Sequence, residues 1–195
     1  MRLNEKYMQD LKQWLHDTSD SPLEEMSEFF TKRLDVYEEH MSAWEKSYQM
    51  FSEVLPSDCQ KILDLGCGTG LELDKIRYDF GYEKWDAVIS FQSLHHFLPE
   101  RKKELYRKIC NGLKPGGIFL LGDYIACCEE EEELLRSVYL KRRKQFAISE
   151  NSFVHFDIPL TLEHERELLQ NAGFVPGKVL DNPDGATIIL SEKED

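Results

Sequence analysis

The chain has 195 residues, with 37 acidic and 24 basic side chains that give a formal net charge of -13. This length corresponds to one domain, and a hydrophobic content of 41% excludes wholesale disorder. No apolar run approaches the roughly 20 residues that a membrane-spanning helix needs, and the polar start is unlike a signal peptide. The acidic balance argues against broad nucleic-acid binding. Five scattered cysteines form no disulfide framework, so we expect a reduced, cytoplasmic, soluble protein.

Residues 1–55 are predicted to form an N-terminal cap of two or three helices, because their apolar residues recur at three- and four-residue steps. Ser21 followed by Pro22 predicts the start of one of these helices, with Ser as the cap and Pro in the first turn. No linker separates the cap from residues 56–195, so we expect the cap and the following domain to form one structural unit.

The rest of the chain alternates strands and helices, which predicts an α/β domain with a parallel sheet. Strands are expected at 62–65, 85–90 and 118–123, with a helix at 100–112 between the second and the third. Helices at 129–148 and 162–172 and strands at 179–180 and 186–190 follow. The helix at 129–148 has an acidic start and a basic end, which suits the helix dipole and is typical of a solvated helix.

A glycine-rich turn follows the first strand, with Gly66, Gly68 and Gly70 directly after the Asp64-Leu65 end of that strand. Glycines let backbone N–H groups approach a ligand closely, as in nucleotide-binding loops. A dinucleotide site prefers a third glycine one residue later. Residues 62–70 closely resemble motif I of the class I S-adenosylmethionine-dependent methyltransferases.

Three further segments follow in the order of that family. Residues 85–97 resemble its fourth strand and the loop after it, 113–123 the turn into the fifth strand and that strand, and 168–174 the helix end before the final hairpin. The resemblance implies a Rossmann-like methyltransferase fold with a mostly parallel sheet, a C-terminal antiparallel hairpin and an N-terminal helical cap. It also implies S-adenosylmethionine as cofactor and S-adenosylhomocysteine as product. A Rossmann domain without this cofactor is the alternative.

The resemblance assigns the glycine loop to the methionine part of the cofactor. The backbone of Gly66, Cys67 and Gly68 would face it, and Asp64 would lie near its amino group or order the loop. Cys67 is interpreted as a small residue that fits a tight turn, not as a nucleophile.

Two other segments are implied in cofactor binding. Phe91 and Gln92, just past the fourth strand, would border the cofactor. In the cap, Arg33 and Tyr37 resemble the residues that close over its carboxylate, although Tyr37 also has the spacing of a core residue.

Candidate catalytic residues come from the segments around the fifth strand. His155 lies in the insert that often forms the acceptor lid in this family, and Tyr124 at the end of the fifth strand would face the same cleft. His95 and His96 follow the fourth strand, where a structural or cofactor-edge role is favoured over catalysis.

No metal site is predicted. The combination of His155, Asp157 and His164 matches no tight ligand spacing. The adjacent cysteines Cys127 and Cys128 are interpreted as packing residues.

The sequence departs from the family between the first and fourth strands. Only 16 residues, 71–86, separate Gly70 from Ala87, whereas the family places three helices and two strands there and one βαβ unit alone takes about 30 residues. The acidic residue that would hold the ribose hydroxyls has no counterpart, and a seam is expected near Arg77. Either the deletion is genuine, or the protein contains a segment that this sequence lacks. The second explanation is favoured because strand 62–65 is apolar enough to be covered and paired on both sides.

We therefore expect methyl transfer to a small-molecule acceptor. A tRNA wobble-base modifying enzyme of the same fold is an alternative, supported by the basic cluster at 141–144 and opposed by the net charge. A non-catalytic methyltransferase relic is the other alternative if the shortening is real. The motifs report the cofactor and predict neither the acceptor atom nor the oligomeric state.

Overall fold

The computed structural model of the protein describes residues 2–66, 80–180 and 186–194. Helices and strands alternate through most of these ranges after an all-helical start. In chain order the elements are α1 (Arg2–Asp17), α2 (Met26–Thr31), α3 (Leu34–Ser42), α4 (Glu45–Val54), β1 (Ile62–Leu65), β2 (Trp85–Phe91), a 3-10 turn (Leu94–His96), α5 (Pro99–Gly112), β3 (Leu113–Asp123), α6 (Glu129–Gln145), α7 (Leu162–Asn171), β4 (Lys178–Leu180) and β5 (Thr187–Glu192).

One sheet carries the domain, with the strand order β1-β2-β3-β5-β4. β1, β2 and β3 are parallel, with Ala87 opposite Ile62 on one side and Ile118 on the other. β5 runs antiparallel between β3 and β4. Four strands therefore share one direction and β5 opposes them, which confirms the mostly parallel sheet with an antiparallel C-terminal hairpin.

Side chains alternate across the sheet, so each strand contributes to a core on both faces. Phe119 and Leu121 of β3 pack in one cluster with Ile109 of α5 and Leu169 of α7. Leu120 faces the opposite side and packs with Phe51 of α4 and Ile188 of β5. The cap helix α4 therefore covers the face of the sheet that α5 and α7 leave open.

The cap contains four helices in the described residues, not the two or three that periodicity predicts. The predicted helix start at Ser21 is wrong, because α2 begins at Met26 and residues 21–25 are not helical. Tertiary pairing explains the difference. Glu25 forms a β-bridge with Val154, and the N–H of His155 donates to the carbonyl of Glu24 at 2.9 Å.

The prediction of a solvated α6 is also wrong at its two ends. Glu131 is 1% exposed, accepts the N–H of Cys127 at 2.6 Å and accepts the hydroxyls of Tyr7 and Tyr124. Arg142 is buried and donates to the side-chain oxygen of Thr18 at 2.8 Å. These two charges fasten α1 to α6.

β1 lies at the edge of the described sheet and pairs there with β2. Ile62 of β1 is 42% exposed. The predicted seam near Arg77 lies outside the described residues. No helix in the described ranges combines the length and the apolar character that crossing a membrane requires.

Candidate functional site

A cavity of about 470 Å³ opens at the carboxyl ends of β1 and β2. Gly66 directly follows β1, and Phe91 and Gln92 come at the end of β2. Carboxyl ends of parallel strands are where open α/β sheets bind ligands. The cap helices α2 and α3 and the segment that precedes α7 supply the opposite walls.

The cavity brings together many of the residues assigned from the motifs. Its lining includes Arg33, Tyr37, Gly66, Phe91, Gln92 and His155. Asp64 is exposed in β1 and is not among the lining residues. Cys67 and Gly68 lie outside the described residues. The roles of all these residues in binding or catalysis stay predictions.

Gly66 fits a position that a side chain would block. Its φ is +96°, and a Cβ there would lie 2.1 Å from the Oγ of Ser93. Glycine is the residue that adopts this conformation without strain and lets the ends of two strands approach closely. Gly66 also lines the cavity, where the resemblance implies a cofactor-binding loop.

Arg33 is held at the cavity by three contacts with two neighbouring residues. Its guanidinium donates to the carboxylate of Glu24 at 3.2 Å and to the carbonyl of Phe29 at 2.8 Å, and it lies 3.7 Å from the Phe29 ring centroid. A hydrogen bond from Lys32, with a smaller contribution from Arg33, lowers the pKa of Glu24. Arg33 thus presents a positive charge of fixed position to the cavity.

Aromatic contacts fix the end of β2 against the cap. The Phe91 ring lies 5.8 Å from Trp44, 4.9 Å from Tyr48 and 5.5 Å from Phe51, measured between ring centroids. The pairs with Trp44 and Phe51 are edge-to-face, which is a favourable geometry for aromatic rings. This packing positions one apolar wall of the cavity.

His155 stacks on Phe29, with ring centroids 3.4 Å apart and an interplanar angle of 6°. Burial, assisted by the charge of nearby His96, lowers the pKa of His155 to about 4. The imidazole is therefore neutral at physiological pH. Its segment is fastened by the backbone bond to Glu24 and by the N–H of Ile158, which donates to the carbonyl of His95 at 2.8 Å.

A group of side chains that the motifs do not predict occupies the same wall. The Nδ1 of His95 donates to the buried carboxylate of Asp123 at 2.5 Å. Burial lowers the pKa of His95, but the Asp123 carboxylate outweighs it, so the pKa is raised. His96 has a lowered pKa because of burial and the charge of His95. Burial raises the pKa of Asp157, but the adjacent imidazoles of His96 and His95 outweigh this effect, so the pKa is lowered.

Sequence spacing could not reveal this group, because Asp157 is about sixty residues from the two histidines. Its members come from three connections of the fold: the turn after β2, the end of β3 and the segment before α7. The available signal was the pair His95-His96 directly after one parallel strand and Asp123 at the end of its neighbour.

Two other candidates lie elsewhere. His164 pairs with Glu132 at 2.9 Å, away from Asp157. Tyr124 does not line the cavity, contrary to the expectation that it faces the cleft. Its hydroxyl lies 2.9 Å from that of Tyr7 and donates to Glu131. Burial and the hydrogen bond to the Glu131 carboxylate raise the pKa of Tyr124 strongly. These contacts place the Tyr124 hydroxyl between α1 and α6.

Residues 76–121 match a protein family described as "Methyltransferase domain". The match spans β2, α5 and most of β3. It begins one residue before Arg77, near the predicted seam.

Two curated relatives share part of this sequence. Carboxy-S-adenosyl-L-methionine synthase of Nautilia profundicola is 27% identical over 109 residues, which cover 52% of this chain and 46% of the relative. The Campylobacter concisus protein of the same name is 31% identical over 100 residues, which cover 46% of this chain and 42% of the relative. The chain thus spans less than half the length of these relatives.

Solved structures share the fold at low sequence identity. A Pyrococcus horikoshii protein has a TM-score of 0.55 at 15% identity, and the match covers 80% of this chain and 92% of that protein. The S-adenosylmethionine-dependent methyltransferase SibL has a TM-score of 0.54 at 15% identity, and the match covers 83% of this chain and 59% of SibL. A Thermotoga maritima S-adenosylmethionine-dependent methyltransferase, described as a possible histamine N-methyltransferase, has a TM-score of 0.52 at 14% identity. The match covers 85% of this chain and 98% of that protein. The matched segment and the shared fold confirm the resemblance: the chain has the fold of a class I S-adenosylmethionine-dependent methyltransferase domain.

Proposed function

We propose that the protein transfers a methyl group from S-adenosylmethionine to a small-molecule acceptor in the cavity at the ends of β1 and β2. The observation that carries this proposal is the convergence of cap, glycine turn and strand end on one cavity. Arg33, Gly66 and Gln92, assigned from three separate segments, all line it. Both curated relatives have names that refer to S-adenosyl-L-methionine, which supports the class of ligand.

The described residues fit the methionine end of this cofactor. Gly66 leaves backbone exposed where a Cβ would collide with Ser93, and Arg33 offers a guanidinium suited to a carboxylate. Phe91 and Gln92 would border the same ligand. The ribose end has no acidic partner in this sequence, so we expect weaker binding than a complete site would give.

The cofactor supplies a methyl group on a positively charged sulfur, and the protein contributes alignment and exclusion of water. Phe29, Phe30 and Phe153 give the cavity apolar walls. His155, stacked on Phe29, would contact the acceptor and accept a hydrogen bond from its hydroxyl or amine. A general base is needed only for an acceptor that must lose a proton.

The tRNA-modifying alternative has less support. Of the basic cluster, Arg142 is buried against α1, and Arg143 donates to the carbonyl of Ser152 at 3.0 Å and to the hydroxyl of Tyr139 at 2.9 Å. Two of its four charges are thus engaged within the protein. The relic alternative differs from either enzyme in whether the protein binds and turns over the cofactor.

Titration calorimetry with S-adenosylhomocysteine tests the proposal. We expect binding of one ligand per chain, and a loss of at least tenfold in affinity for Gly66→Ala. Gly116→Ala is a matched control, because Gly116 also has a positive φ of 68° but its Cβ would meet nothing within 4 Å. A folded protein that binds no S-adenosylhomocysteine, or equal losses in both variants, would contradict the proposed cofactor site.

Transfer of a labelled methyl group then separates the acceptors. Label in a small-molecule fraction supports the proposal, whereas label in tRNA supports the alternative. A folded protein that neither binds the cofactor nor transfers a methyl group to either fraction supports the relic.

A further inference from the structure

His95, His96 and Asp157 form a compact group on one wall of the cavity. Each offers one ligand atom, and the three atoms lie within 4.8 Å of one another. The side chains of the two histidines are 7% and 6% exposed, and that of Asp157 is 42% exposed. All three residues line the cavity, so the group is open to a ligand from one side.

The distances to the Asp157 carboxylate match those of ligands on one metal ion. Its Oδ1 lies 3.5 Å from the Nε2 of His95 and 3.3 Å from the Nδ1 of His96. Ligands bound tetrahedrally at about 2.1 Å from a zinc ion are separated by about 3.4 Å. Two imidazoles and one carboxylate are a common ligand set for divalent transition metals.

Hydrogen bonds within the described residues do not satisfy this oxygen. The Oδ1 of Asp157 is buried, and no donor from the described part of the chain reaches it with hydrogen-bond geometry. Buried polar atoms without a partner are rare, and an absent ion is one explanation for them.

A carboxylate also supports one of the proposed ligands, His95, from the side away from Asp157. In the neutral form of His95, with the Nδ1–H donating to the Asp123 carboxylate, the Nε2 on the side of Asp157 carries the lone pair. Metal-bound histidines usually donate their other N–H to a carboxylate or a carbonyl in this way. His96 presents its Nδ1 to the carbonyl of Phe156 at 3.2 Å, so an ion bound at that atom would replace the proton.

We propose that His95, His96 and Asp157 bind one divalent transition-metal ion, of the class of Zn²⁺, with its remaining coordination position facing the cavity. Asp123 positions His95 for this role. The site requires nothing from the glycine turn and does not depend on the proposed methyl transfer. A ligand that enters the cavity could complete the coordination sphere.

The test uses the full chain, stripped of metal by a chelator and titrated with Co²⁺ and with Zn²⁺. We expect one ion per chain, a Co²⁺ absorption spectrum without a thiolate charge-transfer band, and a rise in Tm with Zn²⁺. Asp157→Asn and His96→Gln should each weaken binding at least tenfold. Asp123→Asn should weaken it by about 10- to 100-fold through the second shell.

His164→Gln is the matched control, because His164 is a histidine paired with a carboxylate outside the cavity. It should retain the affinity of the unmodified protein. Using both Asp157→Asn and His96→Gln keeps the test valid if one variant fails to fold. Failure of the folded protein to bind either ion, a thiolate band in the Co²⁺ spectrum, or equal affinities in His96→Gln and His164→Gln would overturn the proposal. Loss of S-adenosylhomocysteine binding would not affect it.

Discussion

The ammonium of Lys102 in α5 donates to the carboxylate of Glu165 in α7 at 2.6 Å, and both side chains are fully buried. The Tyr106 hydroxyl donates to the other oxygen of the same carboxylate. Burial and the charge of Glu165 raise the pKa of this tyrosine well above its usual value. A polar network therefore joins the two helices that cover one face of the sheet.

Lys102→Met should destabilise the protein by about 3–5 kcal/mol, because it leaves the buried carboxylate without its counter-charge. The double variant Lys102→Met/Glu165→Leu should lose less than the sum of the two single losses. Urea unfolding measures the free energy of unfolding of Lys102→Met, of Glu165→Leu and of the double variant. The exposed pair Arg101 and Glu104, 3.8 Å apart, is the control, and Glu104→Gln should cost less than about 1 kcal/mol. Additive losses at Lys102 and Glu165 would contradict the coupling.

Glu131→Gln should reduce the acid sensitivity of the fold. Burial raises the pKa of Glu131, but hydrogen bonds from Tyr124, Tyr7 and Cys127 outweigh it, so the folded-state pKa is lowered. Its contribution is therefore present above the unfolded-state pKa and is lost as pH falls through the folded-state pKa. Urea midpoints between neutral and acidic pH should fall less steeply in Glu131→Gln than in the exposed control Glu133→Gln. Parallel pH profiles would contradict this role.

Tyr124→Phe should lower stability by about 1 kcal/mol, since it removes a hydrogen bond to the carboxylate of Glu131. Its affinity for S-adenosylhomocysteine should stay within about twofold of that of the unmodified protein, because the hydroxyl lies outside the cavity. Calorimetry together with urea unfolding separates the two effects. A large loss of affinity at unchanged stability would return Tyr124 to the binding site.

Arg33→Ala should weaken binding of S-adenosylhomocysteine by about tenfold or more, a loss of roughly 1.4 kcal/mol for each factor of ten. The reason is that its guanidinium would pair with the ligand carboxylate. Arg136→Ala, an exposed position on α6, should bind as the unmodified protein does. Comparable affinities of the two variants would remove Arg33 from the site.

The short interval at residues 71–86 makes a prediction about chain mass. If the protein contains a segment that this sequence lacks, protein from its natural source should exceed 22.9 kDa by at least one βαβ unit of about 30 residues. Intact-mass spectrometry measures this directly. A mass of 22.9 kDa would establish that the first and fourth strands of the family pattern are joined by a genuinely short connection.

Local patterns predicted most of the strands and helices. The apolar runs at 62–65 and 85–90 became β1 and β2, because continuous apolar sequence is typical of strands in a parallel sheet. β2 lies inside the sheet, whereas β1 lies at the edge of the described sheet with Ile62 and Asp64 exposed. The glycine spacing pointed to the turn after β1, since positive φ at close strand ends restricts the residue type. The start of α2 was missed because the long-range β-bridge between Glu25 and Val154 replaces the local Ser-Pro signal.

The sequence alone determined the fold class, because the alternation of strands and helices follows from periodicity, and its resemblance to the methyltransferase family implied which segments meet at the cavity. Tertiary structure alone decided the group of His95, His96, Asp123 and Asp157, since chain connections far apart in sequence end at the same edge of the sheet. It also moved Tyr124 out of the cavity and buried Glu131 and Arg142. Burial and the partners of a side chain depend on how elements pack, and no local pattern encodes that packing.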